Sequence, residues 1–137
     1  MNLLAFKEDL ELQESGTRCC PTGDESSYFL VRRLNTPSYR KEIEDIKRRI
    51  YGFSDNINEQ ELLGYWLAEY GVTGWSGISK EDDSPLPYSK TEARKIFLNP
   101  AYQGSNSLNE RLIRHGLDHT EYLFLDVKED IEAAKKS

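Results

Sequence analysis

Residues 27–50 read SYFLVRRLNTPSYRKEIEDIKRRI, and the pattern of apolar residues changes period in the middle of this stretch. Ser27–Arg33 is rich in aromatic and β-branched residues, as strands are. From Asn35 the period is helical. Asn35 or Thr36 is placed to cap a helix, and Pro37 suits its first turn, where a missing N–H costs nothing. Tyr39, Ile43, Ile46 and Ile50 then form one apolar stripe. Arg40/Glu44, Lys41/Asp45, Glu44/Arg48 and Asp45/Arg49 set opposite charges one turn apart, and Gly52 is placed to end the helix.

Upstream, Leu10-Glu11-Leu12-Gln13 alternates apolar and polar. This reads as a strand over about 10–20, joined to the strand at 27–33 through the turn residues Pro21-Thr22-Gly23-Asp24. A lone hairpin is marginal in water, so it must pack on something. Downstream, Asn58-Glu59-Gln60-Glu61 opens a second helix, with acids at the positive end of its dipole. Its broad apolar face carries Leu62, Leu63, Trp66, Leu67 and Tyr70, and Gly71 closes it. Val72–Ile78 reads as a Gly-punctuated loop carrying Trp75, and 80–87 as a polar, proline-interrupted loop. Ser89-Lys90-Thr91-Glu92 and Ser107-Leu108-Asn109-Glu110 both have the capping-box form, so each starts a helix. Asn99-Pro100 breaks the first, and the second ends near Gly116. A last helix is expected from Asp118 or Thr120 through Phe124, Val127 and Ile131. The expected fold is α+β: an N-terminal β-hairpin (about 10–33) packed on a helical body (36–136) of four to five helices, in a single domain over 1–137.

A chain of 137 residues can bury roughly 65–70% of the surface it exposes when unfolded, enough for a real core. Aromatic residues make up 11% of it, which argues against global disorder. No apolar run is long enough to span a bilayer, and MNLLAFKEDLELQ lacks a basic start, so neither a membrane segment nor a signal peptide is expected. The chain reads as cytosolic. Its net charge of −6 argues against phosphate-driven nucleic-acid binding, and the cations at 32–49 are interleaved with Glu42, Glu44 and Asp45.

Chemistry-bearing motifs are sparse. Cys19 and Cys20 are adjacent, which disfavours a bridge between them and offers no zinc spacing. His115 and His119 have the spacing of a zinc helix, but Gly116 and Asp118 mark a helix boundary between them. Glu81-Asp82-Asp83 lacks the ligand alternation of a calcium loop. No phosphate loop or nucleophile elbow is readable. The expectation is therefore a protein that is not an enzyme and needs no cofactor or metal. Aromatic side chains supply much of the energy at protein interfaces, so Trp66, Tyr70, Trp75, Tyr88, Phe97 and Tyr102 are the candidate protein-binding residues.

The order of segments matches a known pattern. An N-terminal strand pair leads into Leu34-Asn35-Thr36-Pro37-Ser38-Tyr39-Arg40. GVTGWSGI (71–78) and ARKIFLNPAY (93–102) follow, with a tail ending in Lys135-Lys136. From about Leu10 onward this resembles the short tail assembly chaperones of long-tailed bacteriophages. The resemblance implies a non-enzymatic protein of the infected host cytoplasm, absent from the mature virion. It would bind the tape measure protein, a long and largely helical ruler, keep it soluble, and help recruit tail tube protein. Many copies along one ruler favour self-association. The family often makes a longer product by a −1 frameshift, and Ala134-Lys135-Lys136 would fit a slippery run. The alternatives from other classes are a virion structural protein (a head–tail completion or tail-terminator subunit) and a small inhibitor or adaptor of a host protein.

Overall fold

The computed structural model describes residues 2–52 and 54–124. It is an α+β fold in which a three-stranded antiparallel sheet packs against helices. The strands are β1 (Thr17–Cys19), β2 (Tyr28–Val31) and β3 (Val72–Ser76), in that spatial order. The helices are α1 (Leu10–Ser15), α2 (Pro37–Ile46), α3 (Glu59–Trp66), α4 (Lys90–Phe97) and α5 (Leu108–Leu117). Wider, π-type turns extend α2 through Lys47–Tyr51 and α3 through Leu67–Gly71.

The switch of period falls where the sequence puts it. Thr36 caps α2 by accepting the Tyr39 N–H at 3.0 Å, and Pro37 occupies the first turn. Asn58 caps α3, Ser89 caps α4 by accepting from Glu92 N–H, and Ser107 caps α5 by accepting from Glu110 N–H. Three expectations need correction.

The segment at 10–15 is a helix, so the first strand is only Thr17–Cys19. Four alternating residues also fit a single helical turn. The Asp9 side chain decides it by accepting the Glu11 N–H at 3.0 Å, while Gly16 at φ +90° ends the turn. Second, Val72–Ser76 is a strand, which makes the hairpin a three-stranded sheet. An irregularity pairs Leu30 with Gly74 but Val31 with Val72, skipping Thr73. This bulge points both Val72 and Trp75 inward despite their odd spacing. Third, after α5 the chain makes only a 3-10 turn at His119–Tyr122, and Leu123 then bridges Glu8 as extended backbone. The remainder of the expected last helix lies outside the described residues.

The core sits between the sheet and the helices. Cys19, Phe29 and Trp75 form one buried row across the three strands. Behind that row stands Phe97 of α4, whose ring centroid is 6.1 Å from Phe29 and 6.5 Å from Trp75. On the other side, the apolar faces of α2 and α3 close on each other. Ile43, Ile46, Leu62 and Trp66 are buried there, and Tyr39 meets Trp66 edge to face at 5.1 Å. Tyr39, Leu63 and Tyr70 on these faces are half-buried, and Ile50 is exposed.

Candidate functional site

The six candidate binding residues fall into two clusters and one outlier. Trp75, Tyr88 and Phe97 converge. Tyr88 stands edge-on to Trp75 at 4.9 Å, the Trp75 indole N–H donates to the Leu86 carbonyl at 2.7 Å, and the Tyr88 hydroxyl donates to the Val72 carbonyl at 3.3 Å. Backbone pairing of Lys80 with Ser84 and of Leu86 with Ile78 turns the 78–86 loop into a small hairpin that lies back over β3. Trp75 is 9% exposed and Phe97 fully buried, so this cluster is an anchor for the loop, with Tyr88 its half-buried lid.

Trp66 and Tyr70 belong to a second cluster. Trp66 is fully enclosed, and its indole N–H donates to the Glu42 carboxylate at 3.1 Å. Neither Trp66 nor Phe97 presents ring surface to a partner in this conformation. Tyr70 is half-buried and donates its hydroxyl to Asp45 at 2.9 Å; burial first, then that carboxylate, raises its pKa. Tyr102 stands apart, half-buried on the turn Pro100–Tyr102.

Charged groups are organised around structure. Arg32 of the segment after β2 is buried, with its guanidinium on Glu14 at 2.6 Å, on Glu42 at 2.9 Å and on the Tyr70 carbonyl at 3.2 Å. On the surface, Arg49 joins Asp45 to Glu69, and Glu69 also holds Arg94, so one chain of ion pairs crosses α2, α3 and α4. A groove of about 780 Å³ runs along α2 past Arg40, Lys41, Glu44 and Asp45. Its lining mixes both signs, and Lys47 and Arg48 pair with Glu44 and Asp45.

Among the described residues no three of His, Cys, Asp and Glu come together to hold a metal ion. His115 shares a 2.7 Å hydrogen bond with the Thr17 hydroxyl inside the fold, whereas His119 is exposed beyond the end of α5. The Asp82 carboxylate is occupied by the Ser84 backbone and hydroxyl. Burial pushes the Cys19 thiol up to about 11, which disfavours its nucleophilic thiolate form. No helix among the described residues is long and apolar enough to cross a membrane.

The surface feature that sequence reading missed is the N-terminal segment. Leu3, Leu4 and Phe6 on a 3-10 turn and Leu10 at the start of α1 are exposed, at 75%, 41%, 62% and 71%. The run Leu3-Leu4-Ala5-Phe6 is the signal that marks it in the sequence. The segment is held in place behind these side chains. Asp9 N–H donates to the Tyr122 carbonyl at 2.7 Å, and Arg33 pairs with Glu8 at 2.7 Å.

No family model, no curated protein and no solved structure matches this chain.

Proposed function

We propose that this chain is a binding protein without catalytic activity, a tail assembly chaperone that keeps the tape measure protein of a long-tailed phage soluble in the host cytoplasm. The observation that carries a binding reading is the exposed apolar segment Leu3, Leu4, Phe6 and Leu10 on an otherwise polar, acidic chain. Isolated exposed leucines need no explanation, but four large apolar side chains within eight residues on a tethered segment do. An amphipathic helix presents a matching stripe, and a long helical ruler awaiting its tube is rich in such stripes. The resemblance of GVTGWSGI and ARKIFLNPAY to the chaperone family selects this partner. In the fold these two stretches pack on each other through Trp75 and Phe97.

The acidic balance contributes solubility to the complex. One copy covers only a few turns of a long helix, so many copies act along one ruler and contact each other there. Tail tube protein joins after the ruler is covered, and the chaperone leaves before the virion is complete.

Co-expression tests this reading. The tape measure protein should be soluble, and co-purify at moderate salt, only when this chain is present. A Leu3→Glu/Phe6→Glu double variant should stay folded and lose that effect. Equal solubility of the tape measure protein without the chain, with no co-purification, overturns the proposal. Recovery of the chain from purified particles would instead favour a virion structural subunit.

A further inference from the structure

A small pocket of about 140 Å³ lies between α3 and α5, walled by Leu63 and Ile113, flanked by Gln60, Gln103 and Gly104, and reaching Asn109 and Glu110. Asn109 is only 6% exposed. Its amide orientation is fixed by its neighbour: Nδ2 donates to the Phe97 carbonyl at 2.8 Å, beside a second donation to that carbonyl from Gln103 Nε2 at 3.1 Å. Flipping the amide would set two oxygens against each other. Asn109 Oδ1 is therefore committed as an acceptor, and it is buried without a donor among the described residues. Beside it the Glu110 carboxylate is half-buried and, among the described residues, pairs with Arg114, itself largely exposed one helical turn away.

We propose that this pocket receives the side chain of a lysine projecting from the bound partner protein. The occupant must donate, because the buried atom only accepts. It should be cationic, because a carboxylate stands at the pocket and the chain carries a net charge of −6. It should reach in on an unbranched apolar stem, because Leu63 and Ile113 form the walls and the space is only about 140 Å³. A lysine meets all three demands: its methylenes lie along the apolar walls while its ammonium bonds Asn109 Oδ1 and pairs with Glu110. The planar, broader guanidinium of arginine is less well suited to so small a space. The inference rests on the proposed function only for which protein supplies the lysine.

The test uses the full chain and NMR-detected titration with n-butylammonium chloride, Nα-acetyl-lysine N-methylamide, spermidine and the neutral isostere n-butanol. Saturable shifts centred on the Gly104 and Ile113 amides are expected with the first two. The butanol response should be at least ~10-fold weaker, as loss of an ammonium–carboxylate pair demands. Asn109→Leu should abolish the response, and Glu110→Gln should weaken it several-fold. If Asn109→Leu does not fold, Glu110→Gln decides. Overturning outcomes are equal shifts with butanol, an unchanged response in Glu110→Gln, no response to either lysine mimic with only an ordered water on Asn109, or spermidine outcompeting the lysine mimic. None of these outcomes bears on whether the tape measure protein is solubilised, so the two proposals fail separately.

Discussion

Trp75 does three jobs with one side chain. It fills the row between Phe29 and Phe97, it donates to the Leu86 carbonyl, and it gives Tyr88 an edge to rest on. Trp75→Ala should therefore cost about 3–5 kcal/mol in urea unfolding, the range for an enclosed aromatic, and should free the 78–86 loop to proteolysis. Trp75→Phe keeps most of the packing and strands the Leu86 carbonyl, so it should cost clearly less. The Gly-punctuated reading of Val72–Ile78 places Trp75 on a loop. That the anchor is a strand residue was illegible, because the bulge opposite Val31 hides the alternation. The adjacent cysteines part company in a similar way. Cys19 is buried with its thiol pushed up to about 11, chiefly by burial and then by neighbouring Cys20, whereas Cys20 is half-buried. A thiol reagent at pH 8 should label Cys20 in the folded protein and reach Cys19 only after unfolding, checked by peptide mapping. Equal labelling of both would contradict the burial.

At the scale of elements, the helices were easy to read and the sheet was not, for a physical reason. Each helix carries its own boundary chemistry: Thr36-Pro37, Asn58, Ser89 and Ser107 all cap as local sequence dictates. A strand takes its boundaries from partners distant in sequence. β3 meets β2 across about forty residues, and nothing within Val72–Ser76 records that pairing. α1 is hard to read because four residues cannot separate one period from another, and only the Asp9 cap distinguishes it. What joins these elements is Arg32, which ties the end of β2 to Glu14 of α1 and Glu42 of α2 while Trp66 of α3 shares Glu42. Truncating the cation leaves Glu42 nearly buried without its main partner. Arg32→Ala should therefore lose about 3–5 kcal/mol of stability, read by denaturant melts. Arg32→Lys should recover only part of that, because one ammonium cannot reach both carboxylates and a carbonyl in the same fork. A double variant that also replaces Glu42 with Gln should cost less than the sum of the two single changes, since the stranded charge is gone.

For the whole molecule, charge balance makes a prediction about acid. Asp24, Asp82 and Asp118 each accept from a Ser or Thr two residues later, and each carboxyl is held below its ordinary value of 3.8. For Asp24 and Asp82 the hydroxyl bond leads, followed by the backbone N–H; for Asp118 partial burial pulls upward and the Thr120 bonds outweigh it. Asp45 is lowered by its bonds to Arg49, then Tyr70, with Arg48 adding to them. A carboxyl whose folded pKa lies below its unfolded one stabilises the fold fully above the unfolded pKa, and loses that contribution as pH falls through the folded one. All four therefore act in the same direction and in the same window. The melting temperature should change little from pH 7 to pH 5, near the isoelectric point of about 5.0, where the net charge of −6 has been titrated away. It should fall steadily below about pH 4, as these carboxylates take up protons and Arg49 loses Asp45 as a partner while staying charged. Solubility should follow another course, with its minimum near pH 5, where exposed Leu3, Phe6 and Leu10 face a surface without net charge to keep copies apart. Thermal melts and light scattering across pH 2–8 separate the two. A protein that is most stable at pH 3 would show that these carboxylates are not bonded as described. If the solubility minimum at pH 5 disappears in Leu3→Glu/Phe6→Glu, the apolar N-terminal segment is the surface through which uncharged copies meet.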